Sequence, residues 1–102
     1  MNFEWDDNKN QVNIKKHGLH FADAHQVFEH PLLVRADERH SYGEERWIGI
    51  GLLQMRVVVL VFTEPDEETI RIISFRKATN YEQKQYEQTY QDEFGAARPD
   101  DR

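Results

Sequence analysis

The run Val57-Val-Val-Leu-Val-Phe62 limits the fold of this 102-residue chain more than any other feature. Six apolar residues in a row leave no polar face. A strand of this kind has to be covered on both sides, which places it inside a sheet. It falls far short of the roughly 20 apolar residues that cross a bilayer, and no other run comes closer.

The segments around it read as further strands. Residues 46–51 form one. The strand with the valine run extends from Gln54 or Met55 to Thr63, and a turn at Leu52-Leu53-Gln54 makes the two an antiparallel hairpin. Pro65-Asp-Glu-Glu68 signals a turn. Thr69–Lys77 follows as a strand, with Ile70, Ile72, Ser74 and Arg76 alternating onto one face and Arg71, Ile73, Phe75 and Lys77 onto the other. Residues 32–36 read as an edge strand, 37–43 as a polar turn and 2–5 as a short first strand.

Three helices complete the pattern. Asp6 or Asp7 caps the first, which runs to His17 before Gly18, with Trp5 and Val12 holding it to the surface. The second runs from His20 to about Glu29 on a stripe of Phe21, Ala24, Val27 and Phe28, and Pro31 ends it. The third starts at Thr79, where Glu82 three residues on completes a capping box. Tyr86, Tyr90 and Phe94 form its buried stripe and Gly95 its stop. The order β-α-α-β-β-β-β-α predicts an α+β fold: an antiparallel β-sheet, two N-terminal helices and a C-terminal helix, all on one face. Residues 1–94 are expected as a single domain, with 95–102 an acidic, disordered tail.

Composition narrows the function. Twelve aromatics argue against disorder. The chain has no cysteine, which excludes disulfides and Cys-based zinc or nucleophile chemistry. The N-terminus lacks the basic start and apolar run of a signal peptide, so a cytoplasmic protein without a membrane segment is expected. The net charge of −6 counts against a general nucleic-acid binder. The distribution of charge matters more. Lys9, Lys15 and Lys16 stand in a stretch without acids, and Arg71, Arg76, Lys77 and Lys84 face only Glu82. An acidic protein with such stretches can hold a local basic cleft.

Candidate chemistry follows from those cations. His17 titrates near neutral pH and suits proton transfer, with Lys15 and Lys16 beside it as phosphate contacts. Dipole compensation at a helix C-terminus explains the same three residues. Arg46, Arg71, Arg76 and Lys77 offer groups matched to phosphate oxygens. Arg76 extends the row of Ile70 and Ile72, so it needs a carboxylate partner or a functional reason, and Glu82 is the local partner. Glu82 itself is explained by the capping box. The histidines at 20, 25 and 30 are spread around a helix rather than along it, and no metal site or cofactor is expected; His25, His30 and His40 read as surface residues. Trp5 and Trp47 are assigned to packing rather than base stacking.

Taken together, these landmarks resemble the BrnT family of type II toxins. The matching residues are Phe3-Glu-Trp-Asp6 with Lys9 and Asn13, Lys16-His-Gly18, Phe21-x-x-Ala24-x-x-x-Phe28 with Pro31, Gly43-Glu-Glu-Arg46 with Ile48-Gly49, Arg71-Ile-Ile-Ser74 with Arg76-Lys-Ala78, and Glu82 and Tyr86. No single piece is specific, but the ordered series is. Departures are His20 for a capping Ser or Thr, Phe75 for an Ala, and the acidic tail. The resemblance implies a RelE-like ribonuclease fold and metal-independent RNA cleavage that inhibits translation and growth. It also implies a cognate ribbon-helix-helix antitoxin of the BrnA type, a hetero-oligomer with it, and contact with operator DNA only through that partner. On this resemblance His17, Arg46 and Arg76 are the catalytic candidates. Lys15, Lys16, Arg71 and Lys77 are the RNA contacts, and Glu82 and Tyr86 are supports. Two other readings remain at this point: a toxin fold without catalysis that only binds its partner, and a small nucleic-acid-binding regulator.

Overall fold

The structure, a computed structural model, describes residues 1–39 and 43–94, with side chains as far as Asp92. The expected tail, the stop at Gly95, the side chain of Phe94 and His40 lie outside the described residues. Five strands form one sheet in the order β1-β5-β4-β3-β2. They are β1 (Asn2–Glu4), β2 (Leu33–Ala36), β3 (Trp47–Leu53), β4 (Arg56–Asp66) and β5 (Thr69–Lys77). The valine run lies in β4, the middle strand, and β2 is an edge strand.

The sheet is mixed rather than antiparallel. β1 runs parallel to β5, pairing Asn2 with Thr69 and Glu4 with Arg71. No hairpin joins these two strands, so no tight turn fixes their direction. β4 also continues through Pro65 to Asp66, and the turn narrows to Glu67 and Glu68.

The helices are α1 (Asp7–His17), α2 (Ala24–Val27), preceded by a 3-10 turn at Phe21–Asp23, and α3 (Asn80–Phe94). They cover both faces, not one. Leu19, Phe21, Ala24 and Val27 pack with Val58, Leu60, Phe62, Ile72 and Phe75 on the first face. Tyr86 and Tyr90 of α3 pack with Ile48, Ile50, Val59 and Val61 on the second. β4 is apolar on both sides, and each row needs its own cover. Trp5 and Trp47 pack on the first face. Tyr86 is buried, and its hydroxyl donates to the carbonyl of Pro31 at 2.9 Å.

Three local expectations change. The second helix is short, because His20 makes no side-chain cap and the chain starts as a 3-10 turn. β5 contains a bulge: Ile72 pairs with Phe62 and Ser74 with Val61, so Ile73 is an inserted residue. An inserted residue reverses the alternation beyond it. Arg76, paired with Val59, therefore lies on the α3 face and not in the row of Ile70 and Ile72, while Phe75 points into the first core.

The third change concerns α1. Val12 does not hold it, being 63% exposed. Asp6 caps its start through the amide of Lys9, and Gly18 ends it at φ 73°. What docks the helix is Asn13, which is buried. β1 stops pairing at Arg71, and farther along β5 the Asn13 amide takes both backbone groups of Phe75. Its Nδ2 donates to the Phe75 carbonyl at 2.8 Å and to the Leu19 carbonyl at 3.0 Å, and its Oδ1 accepts from the Phe75 N–H at 3.1 Å.

Replacing Asn13 with Ala leaves these buried groups unsatisfied and is expected to destabilise the fold by about 3 kcal/mol. Val12→Ala should stay within about 0.5 kcal/mol, as for other exposed positions. Tyr86→Ala should lose about 3 kcal/mol, as for large core truncations. Urea denaturation of the three variants checks all three values.

Candidate active site

Sequence-distant cations meet where the end of α1 comes near the end of β5. α1 ends in Lys15, Lys16 and His17. Lys15 and Lys16 are exposed and His17 is half-buried. Burial is the main cause that pushes the His17 imidazole below its ordinary value of 6.5, and the charges of Lys16 and Arg76 push the same way. Its neutral form is thus favoured near pH 7, the state that accepts a proton.

Arg76 stands on β5 immediately before α3. Its two terminal nitrogens donate to Oε1 and Oε2 of Glu82 at 2.8 and 2.9 Å, and one of them also donates to the Lys77 carbonyl at 3.1 Å. Glu82 serves the helix as well. Its Oε1 accepts from the Thr79 N–H at 2.8 Å, and its own N–H donates to Thr79 Oγ1 at 3.2 Å. Both readings of Glu82, cap and Arg76 partner, therefore hold at once. The Arg76 bond is the main cause that lowers the Glu82 carboxyl from 4.5 to about 2.

A further pair approaches from the β2–β3 side. Arg39 donates from Nε and a terminal nitrogen to Asp37 at 2.8 and 2.9 Å, and the Asp37 side chain is 1% exposed. Asp37 was expected in a polar turn, but the strand pairing of β2 with β3 carries it under cover. Its N–H donates to the Arg46 carbonyl at 2.8 Å. Arg39 lies close enough to Arg76 to act on it electrostatically. Neither Arg39 nor Asp37 was singled out by sequence. The available signal was the two-residue spacing of opposite charges, which is common in turns.

His17, Lys16 and Arg76 are thus brought together, with Arg39 nearby. Arg46 is half-buried at the start of β3. By register it lies four residues beyond Ile50, which shares a row with Arg76, so it is about 13 Å farther along the sheet. Arg71 is elsewhere, bonded to Glu4 at 2.6 Å. Lys77 pairs with Val58 and points to the opposite face from Arg76. Among the described residues no three His, Asp or Glu side chains gather where they could hold a metal ion.

The family model for the ribonuclease toxin BrnT of type II toxin–antitoxin systems matches residues 5–82. The chain belongs to the BrnT family. His17, Arg46, Arg76 and Glu82 all fall within the matched segment. The fold also matches the 1.1 Å crystal structure of the Brucella abortus ribonuclease toxin BrnT, with a TM-score of 0.60 and 28% identity, over 78% of this chain and 99% of that one. A search of curated proteins gives no match. The chain is thus a member of a family of ribonuclease toxins, and the type II system to which such toxins belong implies an antitoxin partner.

The Arg76–Glu82 pair has a pH signature in this BrnT chain. A carboxyl lowered from 4.5 to about 2 stabilises the fold fully above pH 4.5, and that contribution is lost as pH falls toward 2. Glu82→Gln is expected to lower stability at pH 7 by about 2 kcal/mol. The gap to wild type should close between pH 4.5 and 2, as read by thermal unfolding across that range.

Proposed function

We propose that this BrnT protein is a metal-independent endoribonuclease that cuts RNA by attack of a 2′-hydroxyl on the adjacent phosphate. His17 moves the proton. Arg76 stabilises the negative charge of the phosphorane. Arg46, expected beside it, stands about 13 Å farther along the sheet and is left with a neighbouring phosphate of the strand. Lys15 and Lys16 contact flanking phosphates, and Arg71 and Lys77, which stand outside the cluster, are left with the outer phosphates of a longer RNA. The observation that carries this reading is that the charge of Arg76, 59 positions away in sequence, acts on the half-buried His17 at the end of α1. Glu82 and Thr79 hold Arg76 in one orientation. A guanidinium has five N–H donors, and three are used within the described residues, so two remain for a phosphate.

In this reading residues 1–94 act as one toxin domain of RelE-like type in the cytoplasm and arrest growth. A cognate ribbon-helix-helix antitoxin of the BrnA type neutralises the toxin in a hetero-oligomer and alone contacts operator DNA. A second reading is a toxin fold that only binds its antitoxin. One observation favours it: the Arg76 charge is already paired with Glu82.

Cleavage of a short oligoribonucleotide by the purified chain separates the two. Activity is expected to survive chelation of divalent metals. His17→Ala and Arg76→Ala should each lower kcat/KM about 10²–10⁴-fold. Arg76→Lys keeps the charge but not the fork, and should recover only part of the loss. The rate should rise with pH along a limb whose midpoint lies below 6.5, since the folded histidine is depressed. Wild-type rates from both alanine variants sink the assignment, and no cleavage by the wild-type chain favours the binding-only reading.

A further inference from the structure

A groove of about 340 Å³ runs between α1 and the bulge of β5. Val12 from the helix and Ile73 from the bulge give it apolar walls. Asn8 and Ser74 supply polar groups inside it, and Lys9, Lys16 and His17 bring positive charge. Asn8, Val12 and Lys16 follow one another at four-residue spacing, so they line one stripe of the helix.

We infer that this groove receives the nucleobase attached to the scissile phosphate of a single-stranded RNA. The inference rests on the ribonuclease reading above and names a subsite for it. Ligand pockets span roughly 300–1,000 Å³, and this open groove stands at the small end, with room for a single base laid against its apolar walls. A base can enter only when splayed out of a strand, which selects single-stranded RNA. The flat faces of a base suit aliphatic walls such as Val12 and Ile73. The exposure of Val12 acquires a reason, since it carries no part of the fold. The Asn8 amide offers both a donor and an acceptor to a base edge, and the Ser74 hydroxyl offers one of each at choice. Asn13 also borders the groove, but its amide is held by Phe75 and Leu19 and does not read the base. His17 belongs to both the groove and the cation cluster. A base seated against Val12 and Ile73 therefore sets its own phosphate beside His17, on which the charge of Arg76 also acts. Lys9 and Lys16 complement the charge of the backbone on either side.

The test is a methyl NMR titration of the full chain with each of the four nucleoside 3′-monophosphates and, separately, with inorganic phosphate. The nucleotides are expected to move the Val12 and Ile73 methyl signals in a saturable way and to differently strong affinity among the bases. Inorganic phosphate is expected to move the His17 ring signals and leave those methyls in place. Val12→Ala should weaken nucleotide binding about threefold or more and leave phosphate binding unchanged. Asn8→Ala should narrow the spread among the four bases. Methyls that ignore the nucleotides, methyls that respond equally to phosphate, or an unchanged nucleotide affinity in Val12→Ala each overturn the subsite. These outcomes are independent of cleavage. Loss of the subsite with His17-dependent cutting intact leaves the ribonuclease reading standing, and the reverse result leaves the subsite standing without it.

Discussion

The side chain of Asn13 stands in for a missing strand. β5 has β1 beside it only as far as Arg71, and beyond that point its outer backbone groups need partners. A buried peptide group without one is costly, so the position is strongly constrained. The Asn13 amide meets both groups of Phe75 and in addition the carbonyl of Leu19, where the chain leaves α1 for the first core. One side chain thereby fixes the helix to the sheet edge and sets the path of the chain that follows. Asn10 adds to this by accepting the Phe21 N–H at 2.9 Å. The position of His17, one turn beyond Asn13, is a consequence of that docking. The candidate site therefore depends on a hydrogen-bonded contact and not on an apolar one.

The second determinant is the bulge at Ile73. Without it, strict alternation would send Arg76 to the first face, into the row of Ile70 and Ile72, and turn Phe75 out of the first core. With it, Arg76 emerges on the α3 face beside Val59, where Glu82 is waiting in the first turn of the helix. Bulges re-aim side chains near functional sites, and here the re-aimed residue is the one best placed for phosphate. The inserted Ile73 is also the sheet-side wall of the groove along α1. A single extra residue thus places a cation and shapes the space next to it.

Most elements were legible because they rest on local rules. The valine run, the capping box at Thr79 and Glu82, and Gly18 each signal structure within a few residues. β3, β4 and β5 follow from them to within a few positions at each end. What was not legible depends on pairing across the chain. The parallel placement of β1 against β5 has no local signal. The bulge is invisible to alternation, which is why Arg76 was assigned to the wrong face. Asn13 stands in the sequence as a family landmark without an assigned packing role, and Val12 reads as the anchor of the helix; in the structure Asn13 is the anchor and Val12 is exposed. Of the site, His17 and Arg76 were named from residue chemistry, and the fold sets them within electrostatic reach of one another. Arg39 and Asp37 were missed because their burial comes from the pairing of β2 with β3. Alternation set both Arg71 and Lys77 opposite Arg76; the bulge brings Arg71 onto the face of Arg76, though far along the strand and bonded to Glu4, and leaves Lys77 on the other face.

Charge in this protein is therefore a matter of placement. With a net charge of −6 the chain as a whole repels a polyanion, so affinity has to come from a local field. The carboxylates nearest the cluster do not dilute that field at random. Glu82 grips Arg76 and Asp37 grips Arg39, each through two hydrogen bonds to a guanidinium. Each pair sacrifices part of the net charge and fixes its guanidinium in one orientation; for Arg76 this gives a set direction to the N–H groups not used within the described residues. Held donors need little rearrangement when negative charge develops in front of them, which is the condition under which they act most strongly. Lys16 and His17 have no such clamp among the described residues, and they keep their adaptability at the end of α1. The site thus combines two held arginines with a helix end that can adjust, an arrangement suited to a flexible single strand.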